Sequence, residues 1–342
     1  MNSTKFSDLS LIFTWGGFVF LSINFIIGAS FASVEFINFL FANIFAFVLF
    51  AITMFAPVYI SVKEKLNFSQ ALQKYIPNNF VNIFFIFMVV VINTGWYSIQ
   101  IEVIRNLLNI ENFIILVVLS YVFALGAYLF GYRWLKKFSF IVLSIFIIYI
   151  VFFLIKHEDN FNLTLDGSVN IKEIQSIGFM IYGTWAFSSS SIIMDITKQA
   201  KNFKVGYTSV LIGMFIGNFL LLFLGYILAK NSGINNFTDF VALFGSFLGM
   251  LLLVLNIWTT NDSNFYSSMV ALKQIGVSKK VSFMLLPFIS ASLVMVFQDN
   301  LFTIIGEWLV FMGYIGIMFT ILWWYIIINK YFNYSLYNNS KG

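Results

Sequence analysis

The chain is a succession of apolar runs, and these runs constrain its fold more than any other feature of the sequence. A helix of about 20 apolar residues crosses roughly 30 Å of hydrocarbon, and the runs reach that length repeatedly. The sequence is 60% hydrophobic and 10% charged, whereas soluble domains are about 25% charged. These observations predict an all-α integral membrane protein that crosses the bilayer many times.

Ten transmembrane segments are predicted, and we number them span 1 to span 10. They cover residues 11–33, 36–61, 79–104, 112–132, 138–155, 175–196, 206–229, 243–270, 281–298 and 301–329. Short amphipathic pieces are predicted at 66–76, between spans 2 and 3, and at 237–243, ahead of span 8. We interpret residues 1–342 as a single transmembrane domain.

The lysines and arginines predict the orientation of the spans. With the N-terminus in the cytoplasm, the cytoplasmic segments hold 15 of the 19 basic residues. Every cytoplasmic loop then obeys the rule that basic residues stay inside. We therefore expect a multi-pass protein of the cytoplasmic membrane with both termini in the cytoplasm. The net charge of +5 follows from this topology and does not indicate a nucleic-acid partner.

Ten spans with both ends inside can divide into two halves of five with opposite orientation, here about 11–155 and 175–329. Inverted repeats of this kind bind their ligand near the midplane, at interrupted helices in corresponding positions of the halves. Span 1 carries Gly16–Gly17, then Ser22, Asn24 and the run GAS at 28–30, and span 6 carries GTWAFSSSS at 183–191. We therefore predict that helices 1 and 6 are broken, although glycine and serine also serve close helix packing.

The most polar stretch at membrane depth is NIWTTNDSN in span 8, from Asn256 to Asn264. A polar group without a partner in hydrocarbon costs several kcal/mol. Such residues face the bundle interior and mark a substrate or ion path. One or two of them could simply link helices. Seven in one stretch favour a hydrated site.

One helical face of span 3 carries Asn93, Trp96 and Gln100, at spacings of three and four residues. An aromatic ring that stacks, flanked by amides that both donate and accept hydrogen bonds, suits a flat polar ring. Trp185 could close the other side of such a sandwich. The alternative is that Trp96 belongs to the packed core.

Thr259 and Thr260 supply uncharged oxygens, which suit a hard cation such as Na⁺ beside a broken helix. The carboxylates Asp262 and Glu307 leave proton coupling open. Asp195 and Lys198 are predicted to form an ion pair at a helix end.

Other chemistry is poorly represented in the sequence. No cysteine and one histidine argue against thiolate or histidine-cluster metal sites and against a Ser-His-Asp triad. No phosphate-binding loop, carboxylate dyad or nucleophile motif occurs. We therefore expect no enzyme and no cofactor other than a coupling ion, Na⁺ or H⁺. We assign four further tryptophans to packing or interfacial belts, namely Trp134, Trp308, Trp323 and Trp324.

The stretch Asn256–Asp262, followed by Tyr266, resembles the eighth-helix signature of cytosine permeases, in the nucleobase:cation symporter family. Gly95–Trp96 is similar to the third-helix motif of that family. The run GTWA at 183–186, with Asp195 beyond it, resembles the sixth helix. Counterparts exist for all ten spans, so the resemblance covers nearly the whole chain.

The resemblance implies a leucine-transporter-type fold in which Na⁺ drives uptake of a planar nitrogenous ring by alternating access. By position, the cation-binding residues of the family correspond to Gly17, Leu21, Asn256, Thr259 and Thr260. The substrate-binding residues correspond to Asn93, Trp96, Trp185, Phe187 or Ser188, and Asn261, with Gln100 added from the polar face of span 3.

Three departures from the family pattern affect these expectations. Cytosine permeases carry glutamine where this chain has Asn93, which puts the substrate in question. The serine run is about one residue longer before Asp195, which blurs the register of Phe187 and Ser188. The family usually adds two helices after span 10, a difference that we expect to affect oligomer packing more than transport.

The sequence therefore predicts a cation symporter, with Na⁺ as the expected ion, that imports a nucleobase-like small molecule, cytosine first. One alternative keeps the fold and changes the cargo to a pyrimidine vitamin precursor, a hydantoin, allantoin or an amino acid, and leaves coupling to protons open. The more distant alternatives are an integral-membrane enzyme and a channel. The sequence does not predict the oligomeric state.

Overall fold

The computed structural model describes residues 11–12, 19, 22–76, 78–156, 167–186, 192–233, 247–296 and 301–332. Within these ranges the secondary structure is helical and contains no strand. Each predicted span overlaps at least one described helix.

The first half contains Ser22–Ser30 in span 1, Phe36–Glu64 in span 2, Phe68–Tyr75 between spans, Asn79–Leu108 in span 3, Phe113–Phe130 in span 4 and Tyr132–Lys156 in span 5. The second half contains Ile171–Gly183 and Ile192–Thr197 in span 6, Phe203–Met214, the π-helical turn Phe215–Phe219 and Leu220–Asn231 in span 7, Phe247–Gln274 in span 8, Lys279–Val294 in span 9, and Leu301–Ile327 with the π-helical turn Ile328–Phe332 in span 10.

Several of the described helices are long and apolar enough to cross a bilayer. By length and composition, five qualify: Phe36–Glu64, Asn79–Leu108, Phe113–Phe130, Phe203–Asn231 and Thr303–Lys330. Large apolar side chains such as Ile52, Phe87 and Val118 lie exposed on their outer faces, as expected for helices in lipid. The prediction of a multi-pass membrane protein is confirmed.

Asparagines begin many of the helices. The side chain of Asn78 accepts hydrogen bonds from the backbone N–H groups at the start of span 3, and Asn112 and Asn202 do the same for spans 4 and 7. Such caps stabilise a helix by about 1 kcal/mol each. Asn67 and Gln70 form a reciprocal capping box at the start of Phe68–Tyr75. The amphipathic helix predicted at 66–76 is thus confirmed, whereas the piece predicted at 237–243 lies outside the described residues.

Span 5 begins earlier than the predicted residue 138. Its helix starts at Tyr132, directly after Gly131, whose φ of 62° lies in the left-handed region. Glycine adopts this conformation without steric cost, so a single residue separates the helices of spans 4 and 5. The basic residues Arg133, Lys136 and Lys137 therefore lie in the first turns of a helix and not in a loop.

Spans 1 and 7 pack backbone to backbone. A Cβ atom at Gly28 would lie 1.9 Å from the carbonyl oxygen of Leu222, and one at Gly225 would lie 2.0 Å from that of Phe25. Gly28 lies inside the continuous helix Ser22–Ser30. The prediction that Asn24 and Gly28 contribute to a break in span 1 is therefore wrong, because both lie inside this helix and the glycine serves close packing. Ser22 is the first residue of the helix. Gly16–Gly17 lie outside the described residues.

Span 6 is interrupted where the sequence predicts it. The helix Ile171–Gly183 ends inside the span, and a turn follows at Thr184–Ala186. A Cβ atom at Gly183 would lie 2.0 Å from the carbonyl oxygen of Leu309, so this glycine also admits the backbone of span 10. The next described helix in span 6 is Ile192–Thr197.

Span 8 occupies a central place among the described helices. It packs along span 3 and against spans 4 and 5, and it also meets span 1. The first half of span 6 packs on spans 2 and 10. The polar stretch of span 8 is therefore surrounded by other helices.

Candidate functional site

The polar stretch of span 8 lies on a continuous helix, and most of its side chains are buried. Asn261 and Asp262 are fully buried, and Asn256 and Thr259 are nearly so. Thr260 is half-buried. A helix that turned these groups towards lipid would leave them exposed. The polar face of span 8 therefore points into the bundle, as predicted.

The two adjacent threonines share one backbone acceptor. The hydroxyl of Thr259 donates to the carbonyl oxygen of Asn256 at 2.7 Å, and the hydroxyl of Thr260 donates to the same oxygen at 3.1 Å. A hydroxyl that donates its proton keeps two lone pairs on its oxygen. Both oxygens therefore retain the electron pairs that a cation would coordinate. The other two residues predicted to bind the cation, Gly17 and Leu21, lie outside the described residues.

The amide of Asn261 lies on the polar stretch of span 8, and it is buried and unpaired. Neither Oδ1 nor Nδ2 has a hydrogen-bond partner in the part of the chain that the structure describes. Leaving a buried polar group unsatisfied costs about 1–3 kcal/mol, so such groups in native structures call for an explanation. A polar ligand that pairs with this amide would remove the cost.

The predicted polar face of span 3 is also buried, and its amides are partly unpaired. Asn93 donates through Nδ2 to the carbonyl oxygen of Val89 at 2.7 Å. Its Oδ1 has no partner among the described residues, and neither has Oε1 of Gln100. Span 3 is the helix along which span 8 packs. The unpaired amides therefore lie on two neighbouring helices.

Trp96 is held by a second tryptophan from span 10. The rings of Trp96 and Trp308 meet edge to face, with centroids 6.4 Å apart and planes at 90°. A Cβ atom at Gly95 would lie 2.1 Å from the Trp308 ring, so only glycine admits that ring. The assignment of Trp308 to packing is consistent with this contact, and its packing partner is the tryptophan that we predict to stack on the substrate.

Trp185 lies in the turn that interrupts span 6, and span 7 fixes its indole. The indole N–H donates to Oδ1 of Asn218 at 3.0 Å. Nδ2 of Asn218 donates to Oγ1 of Thr184 at 3.1 Å. Trp96 and Trp185 thus have different packing partners, Trp308 for the first and Asn218 for the second. The sandwich between the two rings stays a prediction. Phe187 and Ser188 lie outside the described residues.

Asp262 joins span 8 to spans 4 and 5. Its Oδ1 accepts the backbone N–H of Ala127 at 3.0 Å, and its Oδ2 accepts the indole N–H of Trp134 at 2.7 Å. A Cβ atom at Gly126 would lie 2.1 Å from the indole nitrogen of Trp134, so glycine makes this approach feasible. The assignment of Trp134 to packing or an interfacial belt is therefore incomplete, because its indole also bonds a buried carboxylate.

Two functional candidates carried little signal in the sequence. Asn218 is a single asparagine in an apolar span, and the π-helical turn that contains it has no clear mark in the sequence. Trp134 looks like an interfacial tryptophan. Asp195, in contrast, forms the predicted ion pair, with its Oδ1 3.0 Å from Nζ of Lys198.

No protein-family model matches the sequence, and no curated protein matches it. Solved structures do. The nucleobase-cation-symport-1 family transporter Mhp1, in a closed conformation with bromovinylhydantoin bound, has a TM-score of 0.64 at 13% identity, over 88% of this chain and 74% of that one. An inward-facing conformation of Mhp1 has a TM-score of 0.61 at 15% identity, over 92% of this chain and 74% of that one.

The chain has the fold of a nucleobase-cation-symport-1 transporter. The leucine-transporter-type architecture expected from the span 8 signature is confirmed. The matched structures are those of a transporter.

Proposed function

We propose that this protein is a secondary transporter that couples the entry of a cation, Na⁺ first, to the uptake of a flat nitrogen heterocycle, cytosine first. The cation would bind the oxygens of Asn256, Thr259 and Thr260 in span 8 together with Gly17 and Leu21 in span 1. The heterocycle would lie between Trp96 and Trp185. Movement of one half of the bundle against the other would then expose the site to either side.

The buried amide of Asn261, which has no partner among the described residues, carries this proposal. A nucleobase presents donors and acceptors along one edge, and a side-chain amide offers one of each. The unpaired oxygens of Asn93 and Gln100 on span 3 add acceptors for ring N–H or amino groups. In this proposal the register of Phe187 and Ser188 decides which of them contacts the base from span 6.

The cation would be bound by neutral oxygens. The hydroxyl oxygens of Thr259 and Thr260 both keep acceptor lone pairs. Each hydroxyl donates a hydrogen bond to the same carbonyl oxygen of Asn256, which holds the two hydroxyls side by side. A proton is the alternative coupling ion, and Asp262 is its candidate carrier in span 8. Both carboxylate oxygens of Asp262 already accept hydrogen bonds from other helices, which gives this residue a structural role, so Na⁺ is the first candidate.

A hydantoin is the second candidate cargo. Mhp1 was solved with bromovinylhydantoin bound, and a hydantoin is also a flat ring with imide and amide groups. The Asn93 side chain is one methylene shorter than the glutamine of cytosine permeases, so the site here has a different depth at that position. The choice between a pyrimidine and a hydantoin depends on this contact.

The proposal is tested by uptake into liposomes that contain the purified protein. Radiolabelled cytosine and a labelled hydantoin are offered under an inward Na⁺ gradient, under an inward proton gradient, and with K⁺ alone. We expect uptake of one of them to require the Na⁺ gradient. Uptake that follows the proton gradient and does not depend on Na⁺ would refute Na⁺ as the coupling ion. The absence of uptake of any flat heterocycle would refute the proposed transport function.

Variants on span 8 make the test specific. Thr260→Ala should abolish the stimulation by Na⁺, and Asn261→Ala should raise the KM for the substrate. Ser268→Ala is the matched control, because Ser268 is buried on the same helix and its hydroxyl has no partner among the described residues. Undiminished Na⁺ dependence in Thr260→Ala, with Ser268→Ala behaving like the wild type, would contradict the cation assignment.

A further inference from the structure

The helix of span 7 changes its geometry at one place. Phe215–Phe219 forms a π-helical turn between the α-helices Phe203–Met214 and Leu220–Asn231. π-Helical turns inside α-helices are rare and occur frequently at functional sites. Gly217 and Asn218 lie in this turn and are buried. The polar contacts of these two residues lead to different helices.

Asn218 binds the interrupted part of span 6 with both ends of its amide. Its Oδ1 accepts the indole N–H of Trp185, and its Nδ2 donates to Oγ1 of Thr184. The hydroxyl of Thr184 in turn donates to the carbonyl oxygen of Ile181 at 2.7 Å. An indole nitrogen only donates, so the oxygen of the amide must face Trp185 and the nitrogen must face Thr184. The orientation of this amide is therefore fixed by chemistry.

The preceding residue of the π-helical turn binds span 1. The carbonyl oxygen of Gly217 accepts a hydrogen bond from Nδ2 of Asn24 at 3.1 Å. The same nitrogen of Asn24 lies 2.6 Å from the carbonyl oxygen of Val19. Val19 stands between Gly17 and Leu21, the two residues of span 1 that we propose as cation ligands.

Two consecutive residues of span 7 thus connect the proposed cation-binding segment with the proposed substrate tryptophan. The route runs from Val19 through Asn24 to Gly217, and from Asn218 to Trp185. The close packing of Gly28 and Gly225 holds spans 1 and 7 together beside it. A displacement of span 1 would therefore move the π-helical turn, and the turn would move the indole.

We infer that Asn218 is a positioning residue, which sets the plane of the Trp185 indole and makes it respond to the cation bound at span 1. This inference rests on the proposed function. Asn218 contacts neither ligand in this arrangement and acts through Trp185. Its consequence is that substrate affinity depends on Na⁺ through the hydrogen bond between Asn218 and the indole.

A double-mutant cycle tests the positioning role. Trp185→Phe keeps an aromatic ring and removes the indole N–H, and Asn218→Leu removes its acceptor. With cytosine as the probe in Na⁺, each variant should raise the Kd about tenfold, which is the equivalent of one hydrogen bond. The Kd of the double variant should rise by the same factor as that of each single variant, and no further. Independent sites would instead raise the Kd of the double variant about a hundredfold, and that result would overturn the positioning role. An unchanged Kd in Asn218→Leu would overturn it too.

The control is Asn43→Leu in span 2. Asn43 is also buried, and neither atom of its amide has a partner among the described residues. This substitution therefore matches Asn218→Leu in chemistry and burial without removing a hydrogen bond. It should leave the Kd of cytosine unchanged. An equal rise in the Kd of Asn43→Leu would assign the effect to general repacking.

A measurement without substrate separates this inference from the proposed function. Protein that contains 5-fluorotryptophan gives a fluorine resonance for position 185, assigned by its loss in Trp185→Phe. Na⁺, but not K⁺, should shift this resonance in the wild type and in Asn43→Leu, and should not shift it in Asn218→Leu. An equal shift in Asn218→Leu, or no shift in the wild type, would overturn the coupling whatever the cargo is. Failure of cytosine to bind the wild type would overturn only the proposed substrate.

Discussion

The carboxylate of Asp262 and the indole of Trp134 offer the sharpest test of how span 8 is held in place. Their side chains form a part-buried hydrogen bond of 2.7 Å between residues 128 positions apart. A hydrogen bond to a charged group contributes about 1.5–3 kcal/mol. Trp134→Phe removes this bond and leaves the bond from Ala127. We therefore expect the free energy of unfolding to fall by about 1.5–3 kcal/mol.

The Asp262→Ala variant alone is less informative. It removes both accepted hydrogen bonds, and it also removes the energetic penalty of burying a carboxylate, which amounts to several kcal/mol. The two effects oppose each other. In the Asp262→Ala background, however, the Trp134 indole has lost its acceptor, so Trp134→Phe no longer removes a hydrogen bond. The coupling energy between the two substitutions should therefore be about 1.5–3 kcal/mol.

The assay is reversible unfolding in mixed detergent micelles, followed by circular dichroism because a tryptophan is changed. Trp324→Phe is the control, since Trp324 stacks on Phe55 in span 2. Its effect should add to that of Asp262→Ala within about 0.5 kcal/mol. A coupling of less than about 0.5 kcal/mol between Trp134 and Asp262 would refute the reasoning.

Three further predictions follow from single contacts. Trp96→Ala should raise the KM of transported substrate at least tenfold, because stacking on a base contributes about 1–3 kcal/mol; uptake kinetics equal to the wild type would refute the stacking role. Gly225→Leu should abolish stable expression, because its side chain would meet a span 1 carbonyl oxygen 2.0 Å away; a normal melting profile in detergent would contradict this. The hydrogen bond from Lys74 to Glu64 raises the pKa of Lys74 above its ordinary value, so the pair persists in mildly alkaline solution and is lost as the pH rises through that raised pKa. Comparing the alkaline melting profiles of the wild type and Lys74→Gln checks this, because Glu64 also pairs with Lys330 and must be kept; identical profiles would show that the pair with Lys74 adds nothing.

Local sequence was sufficient for the class of protein and for the helix that bears the candidate site. Hydropathy is a property of consecutive residues, so the apolar runs predicted the helices of a membrane bundle. The stretch from Asn256 to Asn264 singled out span 8, because placing polar groups in hydrocarbon costs free energy whichever helices are its neighbours. The interruption of span 6 after Gly183 was also visible, since glycine and serine mark it locally.

What the tertiary structure decided depends on partners that are distant in the sequence. Trp134 becomes a hydrogen-bond donor only because span 5 places it against Asp262 in span 8. Asn218 accepts the Trp185 indole only because the π-helical turn meets the interrupted part of span 6. Gly28 is a packing residue because span 7 approaches it, and no local pattern separates a glycine that breaks a helix from one that admits a neighbour. Composition thus determined which segments enter the membrane, while packing between helices determined which polar atoms of the described residues are paired with each other and which are not.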